Sequence, residues 1–340
     1  MKNKIAVEEA VGMTLAHDLT KVIPGQYKGV PFPRGHVICE EDIPRLLDMG
    51  KRYIYVLELL EGEIHEEDAA RRIATAVAGP GMELEGPKEG RINLKTRSFG
   101  LLKLNSDLVE EINMIDDVVL STLSNHAVCP EGTMVAGTKI VPLYTKEEHI
   151  RRVEELCRQQ GTAVDVVPFE KKKIGVVITG SEVFEGRIKD KFGDIIASKV
   201  EPFGSEIIRK KIVPDDVAVI GQAIEDMHAA GSNVIVACGG LSVDPDDVTQ
   251  EGVAASGAAI ISYGSPVLPG AMFLYGELKG IPILGAPACV LYDKATVFDL
   301  VLPLVLAGEP VERRDIARMG EGGLCLRCPH CTFPVCPFGK

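Results

Sequence analysis

Between residues 171 and 310, short apolar runs alternate with longer amphipathic stretches, and this alternation constrains the fold more than any other feature. The run IGVVIT at 174–179 follows the charged segment EKKK and is apolar up to its last residue, which is typical of a strand buried on both faces. Further strands are predicted at 206–212, 233–237, 258–262, 272–275 and 281–284, and helices at 191–203, 215–230, 246–256 and 289–306. The pattern predicts an α/β domain with a doubly wound, mostly parallel, three-layer sheet.

Ligands of such sheets bind beyond the carboxyl ends of the strands. The predicted strand ends lead into three glycine-containing loops: TGSEVFEG at 179–186, GGLSVDPDD at 239–247 and GAPA at 285–288. We therefore expect these loops to form the binding site.

The GGLSVDPDD loop allows two interpretations. Its glycines permit close approach of a ligand to the backbone, and the following helix N-terminus suits a phosphate. Alternatively, Asp246 or Asp247 caps that helix and the loop is a polar turn. Three aspartates at 244, 246 and 247 would repel each other and a bare phosphate, and a divalent cation would reconcile them.

The loop after the first strand adds three more carboxylates, at Glu182, Glu185 and Asp190. Carboxylates from two neighbouring strand ends facing one crevice would form a site for a hard cation. The alternative is that they are solvated loop charges, and we favour that alternative for Glu185.

A run of four cysteines near the C-terminus, CLRCPHCTFPVC, is the most specific local signal. Four thiolates within twelve residues suit tetrahedral zinc or an iron–sulfur cluster. The spacing is one residue longer in its last gap than the ferredoxin run C-x2-C-x2-C-x3-C-P, and it favours a [4Fe–4S] cluster slightly over zinc. His330 could substitute as a ligand, and a frayed tail whose thiols oxidise to disulfides is the alternative. The predicted ligands are Cys325, Cys328, Cys331 and Cys336.

Charge and hydropathy exclude two classes of partner. A net charge of -12 argues against a general nucleic-acid binder, because such binding is driven by clustered Lys and Arg. No apolar run reaches the roughly 18 residues of a membrane span. The first residues, MKNKIAVEEAVG, carry charges where a signal peptide needs an apolar core, so we expect a cytoplasmic protein.

The remaining sequence divides into smaller parts. Residues 1–61 predict a small α/β unit with helices at 7–16 and 40–50, a β segment between them and a strand at 51–59. Residues 62–170 predict an accessory α+β segment in which we found no chemical motif. Residues 171–310 form the predicted α/β domain, and 311–340 the cysteine-rich tail.

The strand-end loops together resemble the molybdopterin-binding domain shared by the molybdenum-cofactor biosynthesis proteins MoeA and MogA/MoaB, over about residues 173–308. The family's T-G-D-E is similar to TGSE at 179–182, and its G-x-I-x-D to GRIKD at 186–190. Its G-G-[VT]-[SG]-x4-D-[YV]-T is matched by GGLSVDPDDVT at 239–249, and its proline–glycine loops are echoed at 269–271 and 284–289. The flanking AVEEAVGMTLAHDL resembles MoeA more than MogA.

This resemblance implies a molybdopterin molybdenumtransferase-like enzyme that inserts molybdate into molybdopterin or its adenylate. It implies Mg²⁺ ligands at Glu182, Asp190 and Asp247, with the metal neutralising the anions and acting as a Lewis acid. It also implies a homo-oligomer, a dimer or a trimer. The implied molybdopterin-binding residues are Thr179, Gly180, Ser181, Gly239, Gly240, Ser242, Pro269, Gly270, Gly285 and Pro287.

Departures from the family pattern motivate an alternative. Ser181, Ala271 and Ala286 stand where the family has Asp, Lys and Asn, and the D-G-Y-A loop of MoeA is absent from residues 1–170. The chain could thus be a non-catalytic carrier or sensor of molybdopterin that serves an apo-molybdoenzyme, with the tail as its metal module. A third hypothesis is nucleotide chemistry as in CinA-like proteins, against which the MoeA-like flanks and the DVT ending argue.

Overall fold

A computed structural model describes residues 4–56 and 60–340. The described residues form two compact units. The first unit contains residues 4–56, 60–97, 104–123 and 132–165, and the second contains 98–103, 124–131 and 166–340. The predicted boundaries near residues 61 and 310 lie inside these units and stay predictions. No helix in the described part of the chain combines the length and the apolar character that a bilayer crossing requires.

The part of the chain before residue 170 is rich in short strands. Its helices are α1 (Asp42–Asp48), α2 (Glu66–Val77), α3 (Ser106–Asn113) and α4 (Glu147–Gln160). Its strands are β1 (Lys4–Ala6), β2 (Leu19–Ile23), β3 (Tyr27–Phe32), β4 (Tyr53–Tyr55), β5 (Glu63–His65), β6 (Met82–Lys88), β7 (Arg91–Thr96), β8 (Gly100–Leu104), β9 (Val118–Thr122), β10 (Val128–Cys129), β11 (Met134–Ile140), β12 (Tyr144–Lys146) and β13 (Val164–Pro168).

The first unit is built around an antiparallel sheet of order β6-β7-β11-β9. One face of α2 is buried at Ala69, Ala70, Ile73, Ala74 and Val77, the spacing of a helix with one core-facing stripe. Arg72 on that helix donates to Glu147 and Glu154, which lie on α4. The accessory α+β segment predicted for this region is therefore present as a sheet with helices.

The two helices predicted for the N-terminal region have different outcomes. The helix predicted at 40–50 is confirmed as α1, but the helix predicted at 7–16 is wrong. A single 3-10 turn at Val7–Glu9 is followed by Gly12 at φ 82, a left-handed conformation that ends helical propagation. Thr14 and Leu15 then form isolated antiparallel bridges. The predicted strand at 51–59 is found as β4, and its residues 57–59 lie outside the described part of the chain.

The second unit contains the strand–helix alternation. Its strands are β14 (Lys173–Thr179), β15 (Glu206–Val213), β16 (Val234–Cys238), β17 (Ala259–Tyr263), β18 (Leu274–Leu278) and β19 (Ile281–Ala286). Its helices are α5 (Ser181–Phe184), α6 (Phe192–Val200), α7 (Val217–Ala229), α8 (Thr249–Ala255), α9 (Val297–Leu306) and α10 (Arg313–Arg318).

These strands form one six-stranded sheet of order β15-β14-β16-β19-β18-β17. The first four strands pair in parallel, and the last two join antiparallel. Alternate residues of β14 pack into two different hydrophobic cores. Val176 packs with residues of α6 and α9, whereas Val177 packs with residues of α7 and α8. The doubly wound, mostly parallel, three-layer fold is confirmed.

Two predicted helices of this unit differ in extent. The helix predicted at 289–306 is a 3-10 turn at Ala288–Leu291 followed by α9, which begins only at Val297. A capping box causes the late start, because Thr296 and Asp299 satisfy the first backbone N–H groups of α9. The helix predicted at 246–256 begins at Thr249 instead.

The C-terminal tail is docked on the second unit. Leu324 forms a parallel bridge with Leu268, and Phe338 is buried in the core that contains α9. The alternative of a frayed tail therefore does not hold, and all nine cysteines are free thiols.

Candidate functional site

The strand order reverses between β14 and β16. The chain leaves β14 for β15 on one side, then returns through α7 to β16 on the other side. At such a switch point the loops that follow the two strands turn in opposite directions and leave a crevice between them. The loops that begin at Gly180 and Gly239 follow these two strands, so the switch-point rule places a ligand crevice between them, and its use as a binding site stays a prediction.

Two buried threonines link the strand ends. Thr179 Oγ1 lies 2.9 Å from Thr249 Oγ1 and donates to the Cys238 carbonyl at 3.3 Å. Thr249, the first residue of α8, donates its N–H to the Gly240 carbonyl at 3.0 Å. The two threonines thus tie the end of β14 to the loop after β16 and to the helix that follows it.

The glycine pair after β16 is required by this close approach. Gly239 has φ 89, and a Cβ placed on it would lie 2.4 Å from the Thr179 carbonyl oxygen. Gly240 has φ 54, and its Cβ would lie 2.5 Å from Thr249 Oγ1. Both a side-chain clash and the left-handed backbone exclude other residues here, so the fold alone accounts for the glycines.

The outer part of the loop is anchored at one residue and otherwise exposed. Leu241 is buried, and the Tyr263 hydroxyl donates to its carbonyl at 2.7 Å. Burial, and then the charges of Asp247 and Glu251, raise the pKa of Tyr263, so this hydroxyl stays a donor at neutral pH. Ser242 is exposed beyond this anchor.

The Asp247 side chain accepts a hydrogen bond within its own turn and does not cap the helix that follows. Its carboxylate accepts from Asp244 N–H at 3.2 Å, and its own N–H donates to the Asp244 carbonyl at 2.9 Å. The N-cap of α8 is Val248, without a side-chain cap. The interpretation that Asp246 or Asp247 caps this helix is therefore wrong.

The first loop is held by a reciprocal pair of bonds to the loop after β15. Ser181 N–H donates to Asp215 Oδ2 at 2.7 Å, and Asp215 N–H donates to Ser181 Oγ at 3.3 Å. Ser181, which stands at a family aspartate position, thus serves the loop itself. Gly180 is buried with φ 140, whereas the Glu182 side chain is exposed.

Asp190 is a largely buried carboxylate with three protein partners. It accepts from Phe192 N–H at 2.7 Å and Gly193 N–H at 3.3 Å, at the start of α6, and pairs with Lys210 at 2.9 Å. Full burial and then the Asp190 charge raise the pKa of the Cys238 thiol, so that thiol is neutral and not a nucleophile.

The three predicted magnesium ligands are not gathered into a ligand set. Across residues 4–56 and 60–340, no three His, Cys, Asp or Glu side chains converge as a metal ion would require. Glu182 is exposed, and the carboxylates of Asp190 and Asp247 are bonded within the protein. The magnesium assignment stays a prediction.

The predicted pterin-binding residues before β18 and at the end of β19 are buried. A Cβ on Gly285 would lie 2.7 Å from Leu274 Cβ, and a Cβ on Gly270 would lie 2.4 Å from Val297 Cγ1. Pro269 accepts from Val297 N–H at 3.2 Å, and Pro287 is buried after β19. Packing accounts for both glycines, and a ligand role for this group stays a prediction.

Sequence reasoning did not find Asp215, Lys210 or Tyr263, which hold the crevice loops. Each acts from an element distant in sequence, so no local spacing marks it. Asp215 follows a predicted strand end, and that position was the one signal that could have found it.

Comparison with known proteins matches the part of the chain that contains these loops. The model of a family described as a probable molybdopterin-binding domain matches residues 175–319. This match covers 145 of the 340 residues, less than half of the chain. A second model, described as a domain of unknown function, matches residues 4–58. The predicted relationship to molybdenum-cofactor biosynthesis proteins is confirmed for the molybdopterin-binding domain.

The relatives match only parts of this chain. CinA-like proteins of Mycobacterium tuberculosis and Mycobacterium leprae are 39% and 35% identical over 82 residues, or 24% of this chain. The match spans only 19% of each relative's own length. Among solved structures, CinA of Thermoplasma acidophilum is similar at 19% identity, covering 40% of this chain and 98% of that one, with a TM-score of 0.35. A molybdopterin biosynthesis MoeA protein of Pyrococcus horikosii is similar at 18% identity, covering 72% and 79%, with a TM-score of 0.34.

Proposed function

We propose that the chain binds molybdopterin or its adenylate in the crevice between the ends of β14 and β16 and assists insertion of molybdate. The observation that carries this proposal is the meeting of the Gly180 and Gly239 loops at the switch point of a molybdopterin-binding domain. The activity is that of a molybdopterin molybdenumtransferase-like enzyme.

The two loops have different parts in this proposal. The glycine pair and the threonines fix the floor of the crevice, since Thr179 and Thr249 bond to each other. Ser242 stands exposed at its rim and offers a hydroxyl to the ligand phosphate. The acidic rim carries Asp244 and Asp246, both exposed, which disfavour a bare phosphate. A cation brought by the ligand would offset that repulsion.

A non-catalytic carrier is the second candidate, and a specific observation favours it. Two of the three carboxylates proposed for magnesium are already bonded inside the protein, Asp190 to Lys210 and Asp247 to the Asp244 N–H. Ala286 is fully buried and Ala271 is an exposed methyl group, so neither supplies the polar group of the family pattern. Such a protein would hold the pterin and deliver it to an apo-molybdoenzyme.

One experiment separates the two candidates. The anaerobically purified chain is incubated with molybdopterin, molybdate and Mg²⁺, and the product is assayed by activation of an apo-molybdoenzyme, beside a direct measurement of pterin binding. The transferase proposal predicts binding and a large gain of active cofactor. Binding without that gain, also from the adenylate, would establish the carrier, and absence of pterin binding contradicts both.

Two controls sharpen this test. Ser242→Ala removes the rim hydroxyl without touching the buried floor, and we expect it to weaken pterin binding while the protein stays folded.

A nucleotide titrated as competitor tests the CinA-like hypothesis. Light scattering measures the homo-oligomer, a dimer or trimer, that belongs to the same proposal.

Asp190 provides a prediction that distinguishes structure from metal binding. We expect Asp190→Ala to destabilise the protein by about 1–2 kcal/mol, because the first N–H groups of α6 lose their acceptor. Asp190→Asn keeps an oxygen acceptor and should retain most of that stability and the pterin affinity. Urea unfolding and pterin titration measure both. Equal loss of molybdate insertion in the two variants, with Asp190→Asn fully stable, would contradict a structural role and support a carboxylate bound to magnesium.

A further inference from the structure

The four cysteines of the tail face one cavity of about 360 Å³ in the second unit. Phe333 and Phe338 contribute apolar surface to it, and the segment 292–295 forms another part of its wall. Cys336, the fourth cysteine, faces the same cavity as the first three. The fold therefore brings all four cysteines to the wall of a single cavity, although they are spread over twelve residues of sequence. The thiols concerned are those of Cys325, Cys328, Cys331 and Cys336.

The domain fixes two of these thiols and leaves two at the surface. Cys325 N–H donates to the Leu268 carbonyl at 2.8 Å, and Cys325 and Cys336 pack against the core that contains Phe338. Cys328 and Cys331 are exposed in the intervening loop. A preformed frame with two accessible thiols suits a group that enters from solvent.

The backbone beside Cys325 points a hydrogen-bond donor at its sulfur. Arg327 adopts a φ of 49 and donates its N–H to Cys325 Sγ at 3.4 Å. Hydrogen bonds from backbone N–H groups to cysteine sulfurs are among the features that tune iron–sulfur clusters. The Arg327 guanidinium lies 3.4 Å from Asp293, which lines the same cavity and holds this turn in place.

The spacing of the cysteines in sequence, rather than their positions in the fold, favours a cluster over a single ion. Zinc with Zn–S bonds of about 2.3 Å needs its four sulfurs roughly 3.8 Å apart, at the corners of a tetrahedron. Among the described residues no three of these side chains are gathered around one point, although the four cysteines line one cavity, so either group would draw the exposed thiols of Cys328 and Cys331 inward. A cubane cluster holds each thiolate on a different iron and so accepts ligands that stand farther apart. The C-x2-C-x2-C spacing agrees with such a cluster.

We propose that Cys325, Cys328, Cys331 and Cys336 ligate a [4Fe–4S] cluster in this cavity. The site is separate from the strand-end crevice, and its occupancy does not depend on pterin binding. No residue assigned to molybdopterin by resemblance lines it.

Iron and sulfide analysis of the full chain tests the proposal. The protein is purified anaerobically, reconstituted with iron and sulfide, and freed of unbound metal. We expect about four iron and about four sulfide per chain, and an absorption near roughly 400 nm that dithionite bleaches. Cys328→Ser and Cys331→Ser should each lower iron content several-fold. Both side chains are exposed, so serine leaves the packing of the unit intact.

Matched variants keep the result interpretable. Cys39→Ser replaces an exposed thiol of the first unit and should retain the full iron content. Thermal unfolding verifies that each variant is folded. One zinc per chain in place of iron, no bound iron after reconstitution, or iron content unchanged in Cys328→Ser would each overturn the cluster. The measurement uses no molybdopterin, so failure here and failure of the proposed function are distinguishable.

Discussion

Replacing Gly239 with alanine is expected to lower the free energy of unfolding by about 2–5 kcal/mol. Two effects add: an L-residue at φ 89 costs about 1–2 kcal/mol, and forcing an atom into a packed site costs a further 1–3 kcal/mol or so. The added Cβ would lie 2.4 Å from the Thr179 carbonyl oxygen, which belongs to a sheet strand and cannot move freely. The crevice must therefore open between β14 and β16, and pterin binding should be lost with it.

Gly231 supplies the control for backbone strain alone. It has φ 86, and a Cβ placed there would have nothing within 4 Å. Gly231→Ala should thus cost only the strain of about 1–2 kcal/mol and leave pterin binding intact. Urea unfolding of both variants, with pterin titration at a temperature where both are folded, measures the difference. Equal destabilisation would show that the contact with Thr179 is relaxed without cost.

The sheet was predictable because buried parallel strands carry a strong local signal. β14 and β16 are apolar on both faces, since each face meets a different helix layer, and alternation with helices excludes a simple antiparallel arrangement. Right-handed crossovers decide which face of the sheet each helix covers, whereas the order β15-β14-β16 comes from the structure, and the switch point between β14 and β16 follows from that order.

Helix boundaries were predicted wrongly where the apolar periodicity does not show at which residue a helix begins or ends. Residues 289–306 are apolar enough for one helix, but Thr296 and Asp299 form a capping box that begins α9 at Val297. The T-x-x-D spacing could have predicted this start. Likewise, Gly12 interrupts a helical spacing near the N-terminus because a left-handed glycine ends the helix.

The loops of the candidate site could be predicted from the sequence, but the hydrogen bonds between their residues and other elements could not. Motif spacing placed Gly239, Gly240 and Thr249 correctly at one strand end, because they are close in sequence. The bonds of Ser181 to Asp215 and of Asp190 to Lys210 join different elements, and one sequence without structure gives no signal for them. Gly270 and Gly285 show the opposite problem, because a glycine required for packing looks the same in sequence as one required for a ligand.

Asp299 is the second position where we expect a large effect. Asp299→Ala should destabilise the protein by about 3–5 kcal/mol, because it leaves the Lys199 ammonium without its carboxylate. The Nζ–Oδ1 distance is 2.6 Å, and the two side chains are only 11% and 13% exposed. Asp299 also accepts from Thr296 N–H at 2.8 Å in the capping box of α9, so its loss frees the loop before that helix.

The two members of this ion pair are expected to differ in how much stability is lost when each is replaced. Lys199→Met should cost less, because Asp299 keeps the Thr296 N–H and hydroxyl as donors. Adding Lys199→Met to Asp299→Ala should recover stability, since it removes the unpaired buried charge, and a double-mutant cycle in urea measures that coupling. The more exposed pair of Lys211 and Asp226 serves as control, and Asp226→Ala should have a slight effect. A double variant less stable than Asp299→Ala would mean that the unpaired lysine reaches water, and that the capping box alone accounts for the loss.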